Sequence, residues 1–288
     1  MKRMKFIAIS AIVLALLLLL QGCIHVDPQD PHETTREEGT PTVQVQHYYV
    51  NMEYAYQTQV DQSILTTDLN KDYLLLANKD HALGEDYVPA DLKLLTCATF
   101  GDKDIKLNGR AAEALDLMLQ EMRASGVTDV LVTSAYRSYE YQRLLFNHYL
   151  VKEQSGISSD AIACFGKDYI QKHYYDKGVE ALNAADARQV VLSYSAYPGT
   201  SEHQTGLCVD FITSTMDGNL TTDFALTPAF AWLRQNAYRF GFILRYPEGK
   251  EGVTGYTYEP WHYRFVGREA ATDIYFNGIT LEEYLANS

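Results

Sequence analysis

Cysteine is scarce in this chain: its 288 residues hold four, at 23, 97, 164 and 208. None stands in the paired spacing of a cysteine-bound zinc site, which excludes that class of metal centre. Basic residues are also few. Lys and Arg total 24 against 37 Asp and Glu, giving a net charge of −13, and nucleic acid is not an expected partner because phosphate binding needs clustered Lys and Arg. There is no internal repeat, no low-complexity block and no second linker. The longest uncharged apolar run, Phe6 to Leu20, has fifteen residues, short of the roughly 20 that a spanning helix uses.

That run still carries information. Lys2, Arg3 and Lys5 precede it, and a positive segment followed by an apolar one is the layout of a secretory signal. Leu20-Gln-Gly-Cys23 then reads as a bacterial lipoprotein box with Cys23 as the lipidated residue. An uncleaved membrane anchor and an ordinary cleaved signal are the other readings, and all three place the remainder outside the cytoplasm. Loss of residues 1–22, with their three positive and no negative charges, takes the net charge from −13 to −16. Residues 24–46 hold few large apolar side chains, so burial cannot offset their ordering entropy, and a flexible tether is expected, with His25 and His32 as solvated linker residues. The expected organisation is thus a signal over 1–22, an anchored cysteine and linker over 23–46, and one large domain over 47–288. Cys97, Cys164 and Cys208 leave an odd number of thiols. A Cys97–Cys164 bridge stays open, and Cys208 reads as a small buried thiol.

Along the domain, residues 73–78 read as a short strand leaving into a loop, and 83–95 as an extended connection. Asn108 is positioned to cap a helix in which Ala111, Leu115, Met118, Leu119 and Met122 recur at helical spacing, with Gly126 as its stop. Residues 127–134 read as a strand and 139–152 as a helix with Leu144, Leu145, Tyr149 and Phe146 inward. Helical pieces are expected over 160–187, strands over 207–212, 242–246 and 261–266, and helices over 228–240 and 281–285. The pattern predicts an α+β fold with a small, mainly antiparallel sheet flanked by helices.

The chemistry concentrates in two segments. Ser201-Glu-His-Gln-Thr-Gly-Leu-Cys-Val-Asp210 offers His203 and Asp210, and Glu259-Pro-Trp-His262 offers a second histidine and a glutamate. Two imidazoles and one carboxylate are the ligand set of an open catalytic zinc site, and the extra glutamate suits proton transfer from water. Gly206 lets the backbone curl between His203 and Asp210. A bend at Pro260 would bring Glu259 to the side of His262, since in a straight strand residues three apart face opposite ways. Arg137 follows the 127–134 strand, where a guanidinium can stabilise an oxyanion or hold a substrate carboxylate. The plain alternatives are a core histidine, an exposed glutamate and a surface salt bridge.

With these elements together, the chain resembles the VanY-type D-alanyl-D-alanine carboxypeptidases. The resemblance rests on Ser201-x-His203-x-x-Gly206-x-x-x-Asp210, on Glu259-x-Trp261-His262-x-Arg264 and on Tyr136-Arg-Ser-Tyr-x-x-Gln142, with support from Leu76-Ala-Asn-Lys, Tyr87-Val-Pro89, the 198–203 stretch and Gly241-Phe-Ile-Leu-Arg-Tyr-Pro247. It implies one zinc ion on the sheet face, held by His203, Asp210 and His262. It implies Glu259 as base, Arg137 beside the tetrahedral intermediate, and Gln142 and Ser201 near the substrate. The activity it implies is removal of the terminal D-alanine from peptidoglycan stem peptides by a monomeric, membrane-tethered enzyme. An L,D-carboxypeptidase acting on tetrapeptide stems, or a non-catalytic wall-binding protein of the same fold, are the alternatives. Two positions depart from the family pattern: Cys208, where alanine is usual, and Tyr197, where many relatives carry arginine.

Overall fold

The computed structural model describes residues 44–65, 71–153, 188, 191–192 and 194–287. The expected signal, Cys23, most of the tether, Cys164 and the whole 160–187 segment lie outside the described residues. Near the start of the described residues, the Gln46 backbone N–H donates to Asn277 Oδ1 and its carbonyl accepts from Asn277 Nδ2.

Asn108 opens a 16-residue helix as its spacing predicts. Its side-chain oxygen accepts from the N–H groups of Arg110 and Ala111 and so caps α1 (Gly109–Ala124). The periodic residues Ala111, Leu115, Met118, Leu119 and Met122 are all buried. Ahead of α1, β1 (Leu92–Leu94) and β2 (Lys106–Asn108) form an antiparallel pair. The main sheet contains β3 (Leu131–Ser134), β4 (Cys208–Ile212), β5 (Phe242–Leu244) and β6 (His262–Phe265). Its order is β3-β4-β6-β5 and each pairing is antiparallel. The expected α+β class with a small antiparallel sheet is what the chain adopts.

The two central strands are buried throughout, and alternation divides their residues between unlike surroundings. Val209, Phe211, Tyr263 and Phe265 join the apolar core with Leu115, Met118 and Phe240. Cys208, Asp210, His262 and Arg264 occupy the alternate positions. The register sets Asp210 opposite His262 and Cys208 opposite Arg264. A buried strand pair with one apolar and one polar set of side chains marks where the chemistry sits.

Three expectations need correction. Residues 73–78 do not form a strand: a 3-10 turn, Lys71–Leu74, leads into irregular chain. The carbonyls of Tyr73 and Leu75 accept from the Arg264 guanidinium rather than from a neighbouring strand. In α2 (Tyr139–Glu153) the buried apolar residues are Phe146 and Val151, while Leu144, Leu145 and Tyr149 are half-buried, Leu145 and Tyr149 because they line a cleft. After α3 (Pro228–Asn236), the helix α4 (Arg268–Asn277) was not expected at all. Gly267 caps it without a side chain, and its buried positions include Ala270, Ala271, Thr272 and Asp273, which carry little apolar periodicity. The final helix α5 (Leu281–Leu285) is as expected, opened by a capping box between Thr280 and Glu283.

Candidate metal centre

Each functional side chain is delivered by a different local device. His203 lies on a buried 3-10 turn, Glu202–Thr205, which Gly206 closes in the left-handed conformation with φ 67°. A Cβ at Gly206 would lie 3.0 Å from Leu92 Cδ2 and 3.1 Å from Pro89 Cγ, so both conformation and space call for glycine. The chain then enters β4 and presents Asp210. Opposite it, His262 begins β6. Its N–H donates to the Glu259 carbonyl at 3.1 Å, and the Glu259 N–H donates to the Tyr246 carbonyl at 3.1 Å. This turn bends the chain at Pro260 and brings Glu259 Oε2 to 4.0 Å from His262 Nδ1.

Asp210 is the point of convergence. Its Oδ2 is 3.2 Å from His203 Nε2, and its Oδ1 is 2.8 Å from His262 Nδ1. The remaining nitrogens face acceptors. His203 Nδ1 donates to the Ala135 carbonyl at 2.6 Å, which leaves Nε2 on the Asp210 side. His262 Nε2 lies 3.1 Å from Glu202 Oε2. Ligand atoms about 2.0–2.2 Å from one zinc in a tetrahedron lie roughly 3.3–3.6 Å apart. The His203–Asp210 separation fits that spacing, and the His262–Asp210 separation is slightly tighter. Cys208 is fully buried beside them, and one ligand atom each from His203, Cys208 and His262 lie within 4.8 Å of one another.

Arg137 is fixed on three sides. Its backbone N–H donates to the His203 carbonyl at 3.1 Å, its Nε to Ser134 Oγ at 3.2 Å, and its Nη1 to Gln142 Oε1 at 2.9 Å. Its Nη2 is thereby held 3.5 Å from Asp210 Oδ2. Gln142 is buried and turns its amide N–H toward the Ala196 carbonyl at 2.7 Å, so its contact with the site runs through Arg137. Ser201 is also buried but lines the cleft directly. That cleft encloses about 1060 Å³, and its walls include Tyr136, Arg137, Tyr149, Glu259 and Trp261.

The profile of the VanY family, D-alanyl-D-alanine carboxypeptidase, matches residues 104–268. The chain belongs to the VanY family. YodJ of Bacillus subtilis (strain 168) is 32% identical over 287 residues, covering 96% of this chain and 93% of that protein. A D-alanyl-D-alanine carboxypeptidase of Enterococcus faecalis is 36% identical over 212 residues, which is 74% of this chain and 65% of the relative. Among solved structures, the LdcB LD-carboxypeptidase aligns with TM-score 0.58 at 33% identity, over 79% of this chain and 92% of that one. A VanY D,D-pentapeptidase of the VanB-type resistance cassette, solved in complex with Zn(II), aligns with TM-score 0.55 at 33% identity, over 74% and 99%. VanYB in complex with D-alanine-D-alanine gives 0.55 at 33% identity, over 74% and 97%.

In this VanY-family site the charges are strongly coupled. Burial works against ionisation of Asp210, but His203 and His262 hold its carboxyl well below the usual range. Burial and Arg137 lower the His203 pKa, yet Asp210, with Cys208 adding to it, outweighs them and raises it to about 9. Burial pushes Glu259 up to about 7, with Asp210 adding to the rise and His262 opposing it. A carboxyl poised near neutrality is suited to taking and returning a proton.

The motif reading gave no role to Glu202, Arg245 or the side chain of Arg264, although all three are buried. Glu202 Oε1 accepts from Arg245 Nε and from Arg264 Nη1, each at 2.7 Å. A signal for this was present. Arg245 and Arg264 each interrupt an apolar strand sequence, Phe-Ile-Leu-Arg and His-Tyr-Arg-Phe. A charge at such a position needs a buried partner.

Proposed function

We propose that this VanY-family chain is a zinc-dependent D,D-carboxypeptidase that removes the terminal D-alanine from peptidoglycan stem peptides. The observation that carries the reading is the meeting of His203 Nε2 and His262 Nδ1 at the two oxygens of Asp210, beneath a cleft that also holds Glu259 and Arg137. These three residues would hold the ion. Their donor set suits zinc: a carboxylate and two imidazoles, which the ion would bind in their neutral form and whose far nitrogens the Ala135 carbonyl and Glu202 engage. Asp210 is the better third ligand, because its two oxygens lie 3.2 Å from His203 Nε2 and 2.8 Å from His262 Nδ1. When bound there, zinc supplies Lewis acidity toward the scissile carbonyl and lowers the pKa of water.

The chain's own groups do the rest. Glu259 takes a proton from the attacking water and passes it to the leaving amine. Arg137 stabilises negative charge on the carbonyl oxygen, in a position set by Ser134, Gln142 and the His203 carbonyl. Ser201 lines the substrate cleft, and Gln142 serves the substrate through Arg137. An Arg137→Ala enzyme is expected to lose kcat and kcat/KM together, as for an interaction made in the transition state. A rise in KM at unchanged kcat would instead assign Arg137 to the substrate carboxylate.

The purified, metal-loaded protein incubated with pentapeptide and tetrapeptide stems tests the reaction. Loss of one D-alanine from the pentapeptide, read by mass, is the expected product. Release only from the tetrapeptide would place the enzyme with the L,D class, the activity named for the LdcB neighbour. Cleavage of an amidated stem or of internal bonds would overturn the carboxypeptidase reading. The same reading places the enzyme outside the cytoplasm on a lipid at Cys23, with 24–46 as tether and 47–288 as the catalytic domain, acting as a monomer. Fatty-acid labelling that persists in Cys23→Ala would rule out that anchor.

A further inference from the structure

Glu202 stands between Ser201 and His203 and is 2% exposed. Burying a lone carboxylate is costly, so its neighbours show what it is for. Two oxygens have different duties. Oε1 is occupied by Arg245 and Arg264, each at 2.7 Å. Oε2 faces His262 Nε2 at 3.1 Å. The arginines are satisfied on their far sides. Arg245 grips Glu282 with Nη1 at 2.9 Å and Nη2 at 2.6 Å. Arg264 donates to the carbonyls of Tyr73 at 3.0 Å and Leu75 at 2.8 Å through Nη2, and to that of Phe265 at 2.9 Å through Nε. Two guanidinium groups and two carboxylates balance, so the cluster is neutral with an uncharged His262.

The ring has little freedom. Tyr246 stacks on it with centroids 5.0 Å apart and planes at 26°, and the Arg245 guanidinium lies 4.9 Å from the far ring, that of Tyr246. Of the two imidazole nitrogens, Nδ1 meets Asp210 and the side where His203 Nε2 converges, while Nε2 faces Glu202.

From this arrangement we infer that Glu202 is the positioning residue of the metal centre: held as a carboxylate by Arg245 and Arg264, it takes the Nε2–H of His262 and so presents the Nδ1 lone pair to the ion. The inference rests on the reading of His262 as a zinc ligand. It makes the Ser201–His203 turn bifunctional, with His203 binding directly and Glu202 orienting the second histidine from 60 residues away in sequence. Partners that orient ligating histidines typically contribute 10–100-fold to metal affinity.

Two measurements test it. In the zinc-loaded wild-type protein, long-range proton–nitrogen correlation of labelled histidines should show His262 as the Nε2–H tautomer with an exchange-protected proton. The signal is assigned by its absence in His262→Asn. An Nδ1–H tautomer overturns the inference, and this readout needs no Glu202 variant to fold. In chelator competition, Glu202→Gln should bind zinc about 10–100-fold more weakly. Glu282→Gln, which loosens Arg245 from the side away from His262, should keep zinc affinity near wild type. Equal losses in both variants, or none in Glu202→Gln, overturn the inference. If His262→Asn itself binds zinc as the wild type does, the ligand assignment fails instead, which separates the two conclusions.

Discussion

Glu259→Gln is expected to bind zinc as the wild type does and to turn over stem peptide about 10²–10⁴-fold more slowly, the usual worth of a positioned proton-transfer group. The charge is lost while the turn that carries it is kept, because the bonds of that turn are made by the backbone N–H and carbonyl of Glu259. The pH profile gives a second readout. Only the ionised carboxylate can accept a proton, so kcat/KM falls as pH drops through the pKa of this group. Burial sets that pKa at about 7 without metal, and a dication beside it favours the carboxylate, so the acid limb of the loaded enzyme should lie below 7. Glu259→Gln should abolish that limb as well as the rate. Near-normal turnover in Glu259→Gln would remove Glu259 from the mechanism.

His262→Ala is expected to lose metal and activity together. Zinc at 100 times its Kd should stabilise the wild-type fold by about 2.7 kcal/mol, and this gain should vanish in the variant. The metal-free variant should also be less stable than metal-free wild type, because Glu202 Oε2 loses its partner in a buried site, at a cost of about 1–3 kcal/mol. Asp210→Ala should behave like His262→Ala in zinc content, whereas Cys208→Ala should stay close to wild type. Zinc retained in Asp210→Ala but lost in Cys208→Ala would exchange the oxygen ligand for the sulfur one. Metal content by mass spectrometry and thermal unfolding with and without zinc decide both points.

The parts of the fold that could be read in the sequence are those fixed by neighbours along the chain. Asn108 and the spacing of Ala111, Leu115 and Met118 specify α1 within one stretch. The β-branched and aromatic run after Gly206 specifies β4 in the same way. The meeting of Arg137, His203, Asp210, Glu259 and His262 was legible through the resemblance of three motifs to a known family, since local pattern alone left a core histidine, an exposed glutamate and a surface arginine equally open. What escaped depends on distant partners. Arg245 and Arg264 meet Glu202 across 43 and 62 residues, and although their apolar flanks call for a buried counter-charge, no local pattern says which carboxylate supplies it. Residues 73–78 look like a strand by composition, but their carbonyls go to a guanidinium. The inward side of α4 is small and polar, so its periodicity is faint.

The bidentate grip of Glu282 on Arg245 ties α5 into the buried charge cluster, and Glu283 anchors the same helix through Lys250. A frameshift or proteolytic clip that spares the whole motif region but removes α5 would strip the cluster of one of its two negative charges. Arg245 would then draw more heavily on Glu202. A lesion in the last turn of helix would thus be felt as lost stability, with Arg245 left short of a counter-charge, while Arg264 still holds Glu202 in place behind the metal centre.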